Sequence, residues 1–161
     1  MKLIKVWILA AMFFLPCTAF ALTDDEQVEA STAVDEGNVS VIKKLIDSGS
    51  LHVNEPVFAW SWLQIAANKN QLGVVKLLVE NGANLNYKHP LTKMTALSLA
   101  AVDGWTDVVK YLLSKGADPN IKLRGDVSVV RVVRDDGNAD MVALLMQNGA
   151  KDDGCKEEKC F

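Results

Sequence analysis

The chain has 161 residues, a net charge of −3, and an apolar half. That length allows one domain with a sizeable core and requires no second one. With 17 basic residues against 20 acidic ones and no basic stripe, nucleic acid and an anionic membrane surface are excluded as natural partners.

The first 21 residues, MKLIKVWILAAMFFLPCTAFA, have the parts of a secretory leader. Lys2 and Lys5 precede an uncharged run from Val6 to Leu15, and Ala19-Phe20-Ala21 offers a small-residue cleavage site. A spanning helix needs about 20 apolar residues, so the run is short for a permanent anchor. Cleavage after Ala21 is expected, leaving no stable membrane anchor and a periplasmic or secreted protein. The competing readings are an uncleaved anchor, which Pro16 disfavours, and a lipid on Cys17, where Pro16 stands in place of a small residue. Loss of Lys2 and Lys5 takes the basic residues from 17 to 15 against 20 acidic ones, a net charge of −5.

From residue 25 onward the chain repeats itself. Apolar helical segments at Val41–Ile46, Val74–Val79, Val108–Leu113 and Met141–Met146 each run into a glycine. These glycines, Gly49, Gly82, Gly116 and Gly149, are spaced by 33, 34 and 33 residues, and a fixed period of that size marks a repeat architecture. Within each segment apolar residues recur three and four apart, the pattern of one buried helix face. Gly37, Asn70, Gly104 and Gly137, each 12 residues before a stop glycine, can turn the chain between two helices. Ahead of the last three turns, shorter segments at 61–67, 95–101 and 128–134 open on Ser61, Thr95 and Ser128, whose hydroxyls can cap a helix start. The pairs Ala66-Ala67 and Ala100-Ala101 let neighbouring first helices approach closely.

The units fall at about 25–54, 58–86, 92–120 and 126–151, inside a domain spanning 22–151. The best copies are SWLQIAANKNQLGVVKLLVENGANLN and TALSLAAVDGWTDVVKYLLSKGADPN. This grammar resembles the ankyrin repeat, with its Thr-Pro-Leu-His-x-Ala-Ala, Gly, Val-x-x-Leu-Leu and Gly-Ala-Asp-x-Asn. The end units depart from it: VEASTAVDEGN lacks the Thr-Pro-Leu entry, and Val133-Arg134 replaces Ala-Ala. Atypical ends suit a short solenoid, whose terminal repeats keep one solvated face. The resemblance implies an all-α repeat solenoid of about four stacked helix-turn-helix units joined by β-hairpin-like fingers. It also implies a protein-protein interaction module that uses its concave face of finger tips and first-helix ends.

Residues 152–161 form a short acidic tail carrying Cys155 and Cys160. In an oxidising compartment the simplest reading of that pair is a small disulfide loop. A redox centre is the alternative, although the four intervening residues do not match Cys-x-x-Cys.

Catalytic chemistry is poorly represented. His52 and His89 fall at different phases of the fingers, three residues after Gly49 and seven after Gly82, and are expected to be exposed there. The adjacent acidic residues Asp24-Asp25, Asp35-Glu36, Asp135-Asp136 and Asp152-Asp153 do not share a helix face. No phosphate loop, nucleophile elbow or zinc spacing occurs, so the chain is expected to be no enzyme and to use no cofactor or metal.

The partner-binding candidates come from repeat phase. Val57, Phe58 and Trp60 lie on one finger, with Leu91, Thr92 and Met94 on the next. Asn68 and Lys69, then Val102 and Asp103, follow the first helices, and Trp105 follows a turn. Val57, Phe58, Trp60, Leu91 and Met94 are expected to form side-by-side apolar surface, as an interaction hot spot does. For Phe58 and Trp60 a second reading stays open, in which they fold under the finger as local core. Trp62 is expected to pack inside. Two narrower functions stay beside the general one: an inhibitor or immunity-type protein that neutralises a toxin or enzyme, and an oxidant-defence protein using the cysteine pair.

Overall fold

The structure, a computed structural model, describes residues 24–152. The leader at 1–21 and the cysteines Cys155 and Cys160 lie outside the described residues. Among the described residues eight helices form four consecutive pairs. These are α1 (Asp24–Asp35) with α2 (Val39–Asp47), α3 (Trp62–Asn68) with α4 (Leu72–Glu80), α5 (Ala96–Val102) with α6 (Thr106–Ser114), and α7 (Val129–Asp135) with α8 (Ala139–Gln147). The first helices stack in one row, α1 on α3 on α5 on α7, and α2, α4 and α6 stack in a second. The small residues explain the close inner row: Ala66, Ala67, Ala100 and Ala101 are all fully buried at its centre.

Five of the eight helices, α2, α3, α5, α7 and α8, start on a side-chain cap. The Ser61 hydroxyl accepts the Gln64 amide hydrogen at 3.2 Å, and the Gln64 side chain accepts from the Ser61 N–H at 2.9 Å, closing a reciprocal cap. Thr95 and Ser98 repeat the arrangement, and Ser128 accepts from the Arg131 N–H. These are the three caps expected from the sequence. At the other end, the phrase KGADPN begins with a left-handed stop: Gly116 has φ +90°. Its N–H donates to Leu113 O at 3.0 Å and the Ala117 N–H donates to Leu112 O at 3.0 Å, which satisfies two carbonyls the helix leaves open. Ala117 and Leu112 are both buried in the core at this stop.

The asparagine closing each phrase ties one repeat to the next. Asn54 donates to Gly82 O at 2.9 Å and accepts from the Asn84 N–H at 2.8 Å. Asn86 accepts from the Asp118 N–H, and Asn120 bonds both Gly149 O and the Lys151 N–H. The repeated phrase is therefore both a helix stop and a staple between stops. One continuous core runs along the stack from Ala30 to Ala150, and Trp62 is its largest fully buried side chain. The buried Trp62 Nε1–H has no hydrogen-bond partner.

The fingers are compact loops closed by backbone hydrogen bonds. The first closes on a two-bond bridge between Val57 and Trp60, the second on His89 N–H to Met94 O, and the third on Leu123 N–H to Val127 O. The bridge in the first finger is the one β pairing among the described residues.

Candidate partner-binding face

The first finger is built around a four-residue turn. The Val57 N–H donates to Trp60 O at 2.8 Å and the Trp60 N–H returns to Val57 O at 2.9 Å. Its two central residues, Phe58 with φ +49° and Ala59 with φ +71°, are both left-handed, the geometry of a hairpin turn that ordinarily takes Asn or Gly. Each non-glycine residue in that region is strained by about 1 kcal/mol. The strain gains no packing for Phe58, whose side chain is 89% exposed at the tip. Two contacts from the second finger brace the turn: the Tyr87 hydroxyl donates to Ala59 O at 3.0 Å, and the Trp60 ring lies against His89 with centroids 4.3 Å apart.

The second finger is organised by His89, which is 6% exposed rather than open to solvent as expected. Its Nδ1 accepts from the N–H groups of Leu91 and Thr92, both at 3.3 Å. Its backbone closes the loop at both ends, through His89 N–H to Met94 O and Lys93 N–H to His89 O, each 2.9 Å. Buried Gln64 reaches from α3 to the same loop, donating to Met94 O at 2.7 Å. The imidazole thus replaces the backbone partners that these part-buried loop N–H groups would lack. Leu91 is left 73% exposed at the tip.

The candidate residues separate by burial. Val57 is 8% exposed and belongs to the core, which corrects its expected place on the surface. Its bridge to Trp60 aims the side chain inward and leaves Phe58 outward. Trp60 and Met94 are half-buried, so the apolar surface of the fingers consists chiefly of Phe58 and Leu91. Thr92, also half-buried, accepts from the Met94 N–H with its hydroxyl and from the Arg124 N–H with its carbonyl, linking the second finger to the third.

The helix-end candidates make a second, polar set. Asn68 donates to Asp103 at 3.1 Å and its carbonyl accepts the Trp105 indole N–H at 3.1 Å. Trp105 and Val102 are half-buried, whereas Asn68, Lys69 and Asp103 are exposed. Lys69 pairs with Asp35 at 3.7 Å across half-exposed side chains. Asn68 is the member that joins α3 to the turn after α5. His52 is exposed, so the two histidines have opposite environments.

Repeat phase did not single out the groove between α1 and the first finger. Gln27, Val28, Ser31, Thr32, Asp35, Val57 and Phe58 line this space of about 360 Å³. The sign available in the sequence was Val28, an apolar residue on a helix otherwise polar on that side. On the second row, Tyr111 lies between the ammonium groups of Lys115 and Lys76, 5.5 and 5.8 Å from its ring centre. Burial, and then the Glu80 charge, raises its hydroxyl above the usual 10.0.

Four helix pairs in a single stack, with compact fingers between them, define a helical repeat solenoid. The sequence profile of the family described as Ankyrin repeats (3 copies) matches residues 30–122, more than half of the chain. The chain belongs to the ankyrin-repeat family, whose repeats are protein-protein interaction modules. The fourth pair, α7 and α8, lies beyond the matched residues yet continues the same stack. The chain is similar to the Ankyrin repeat, SAM and basic leucine zipper domain-containing protein 1 of Carollia perspicillata, 28% identical over 124 residues. That match takes in 75% of this chain and 26% of the relative, so the chain spans about a quarter of that protein's length.

Proposed function

We propose that this chain is a non-catalytic binding protein of an exported compartment, periplasmic or extracellular, that holds a protein partner against its finger tips and first-helix ends. The observation that carries the reading is Phe58, an aromatic side chain 89% exposed on a turn whose backbone is left-handed at two consecutive non-glycine residues. Strain maintained where there is no packing gain points to use of the side chain itself. Leu91 on the next finger supplies a second apolar anchor, and Asn68, Asp103 and Trp105 supply polar and aromatic contacts deeper along the face.

The compartment rests on the leader pattern of Lys2, Lys5, the Val6–Leu15 run and Ala19-Phe20-Ala21. In that setting Cys155 and Cys160 close a structural disulfide, and a thiol titration that finds no free thiol is the expected result. Readily cycled thiols would move the chain to oxidant defence. The narrower reading, neutralisation of a basic toxin or enzyme, is favoured by the net charge of −5 left once Lys2 and Lys5 are removed. No helix among the described residues is long and apolar enough to cross a membrane.

The test is recovery of partner from the exporting compartment with the wild-type chain and with Phe58→Ser plus Leu91→Ser. Both side chains are exposed, so the variant keeps its helical circular dichroism and loses the partner. Unchanged recovery by a folded variant would remove the reading.

A further inference from the structure

The groove between α1 and the first finger has a floor and an acidic margin that together select a kind of ligand. Val28, 66% exposed, and Phe58, 89% exposed, stand beside buried Val57 as its apolar surface. Gln27, Ser31, Thr32 and Asp35 complete the α1 side. Spacings of three and four residues put Val28, Ser31, Thr32 and Asp35 on one helical strip. Asp25 and Glu29, four residues apart, are exposed on the flank next to that strip, and exposed Glu36 follows in the turn after α1. From residue 24 to 36 the sequence has six acidic residues and no basic one. Asp35 at the groove's end pairs with Lys69, and among the described residues Asp25, Glu29 and Glu36 have no ion pair.

We infer that this groove takes a segment of a partner protein that presents one bulky apolar side chain between lysines or arginines. The apolar side chain would sit between Val28 and Phe58, and the flanking cations would face Asp25, Glu29 and Glu36. A second copy of this chain is disfavoured as occupant. A two-fold pairing through α1 would set one acidic flank against another, and like charges across an interface oppose association. The inference rests on the binding reading above and names the chemistry of the partner within it. The fixed position of Phe58 matters here: the Val57–Trp60 bridge and the Tyr87 hydroxyl hold the turn before any ligand arrives. Such preorganisation lowers the cost of ordering on binding.

The test is selection of short random displayed peptides on the mature chain, residues 22–161, followed by affinity measurements on the selected sequences. The expected result is enrichment of a bulky apolar residue flanked by Lys or Arg. Affinity then falls about tenfold or more with Phe58→Ser or Val28→Ser. It falls also with Glu29→Lys combined with Glu36→Lys, and on raising salt from about 0.05 to about 0.5 M. Both sets of variants change exposed side chains, and circular dichroism checks that each is folded. Enrichment of acidic or uncharged peptides, or none at all, would overturn the inference. Binding that survives Val28→Ser and Glu29→Lys combined with Glu36→Lys, yet is lost with Phe58→Ser or Leu91→Ser, would also overturn it, while leaving the finger-face reading intact. A concentration-dependent dimer that Phe58→Ser dissolves would give the groove to a second copy. That result overturns the inference as well.

Discussion

The first and second fingers arrive at the same outcome by different means. Each puts one apolar side chain into solvent, Phe58 or Leu91, at the tip of a closed loop. The first does it with a strained two-residue turn closed by two backbone bonds, and two left-handed residues carry its cost. The second does it with a buried imidazole that accepts from two loop N–H groups, and one left-handed residue, Lys93, suffices. Backbone geometry fixes one tip, and side-chain hydrogen bonding fixes the other. The two are coupled through Trp60 on His89 and through Tyr87 on Ala59.

This contrast can be broken most severely at Gln64, which serves both its own helix cap and the second finger. Gln64→Leu leaves the Ser61 N–H without its partner and removes the bond to Met94 O. A loss of about 3 kcal/mol in urea unfolding is expected, since each buried polar group left unpaired costs about 1–3 kcal/mol. His89→Ala comes next. It removes the acceptor of two N–H groups and the ring under Trp60, and a loss of about 2 kcal/mol is expected. Amide exchange at Leu91 and Thr92 should quicken in that variant. His89→Asn, which restores a side-chain acceptor at this point, should recover part of the protection. Unchanged exchange in His89→Ala would mean that the loop is held by its backbone, as the first finger is.

The smallest effect is expected at Ala59→Gly, and its sign is opposite. Glycine relieves about 1 kcal/mol of left-handed strain and returns some of it as chain entropy in the unfolded state. A net gain of about 0.5 kcal/mol should appear in the urea midpoint. The same substitution has no counterpart in the second finger except at Lys93, the one residue there with positive φ.

Much of the scaffold was legible in the sequence because its determinants are local. The 33- to 34-residue period, the capping Ser61, Thr95 and Ser128, and the stop glycines each act through neighbours a few positions away. The staples by Asn54, Asn86 and Asn120 span a whole repeat, so the sequence showed the recurring asparagine and not what it bonds. The face was legible only in outline. Val57 looks like surface by phase and His89 looks like an exposed polar residue, but both are buried. Their burial is decided by how two fingers lean on each other, through contacts about thirty residues apart in sequence, such as Tyr87 with Ala59. The strained turn was hidden for a different reason: Phe58 and Ala59 are not the residue types that signal positive φ.

The central claim is that the Phe58 turn sacrifices stability to display an aromatic side chain. Asn tolerates the left-handed region better than Phe and lacks the ring, so Phe58→Asn separates the two roles. The most direct measurement is partner recovery by this variant under conditions where its urea midpoint is also recorded. The account predicts that recovery falls at least about tenfold while the midpoint rises. Full recovery by Phe58→Asn would contradict it.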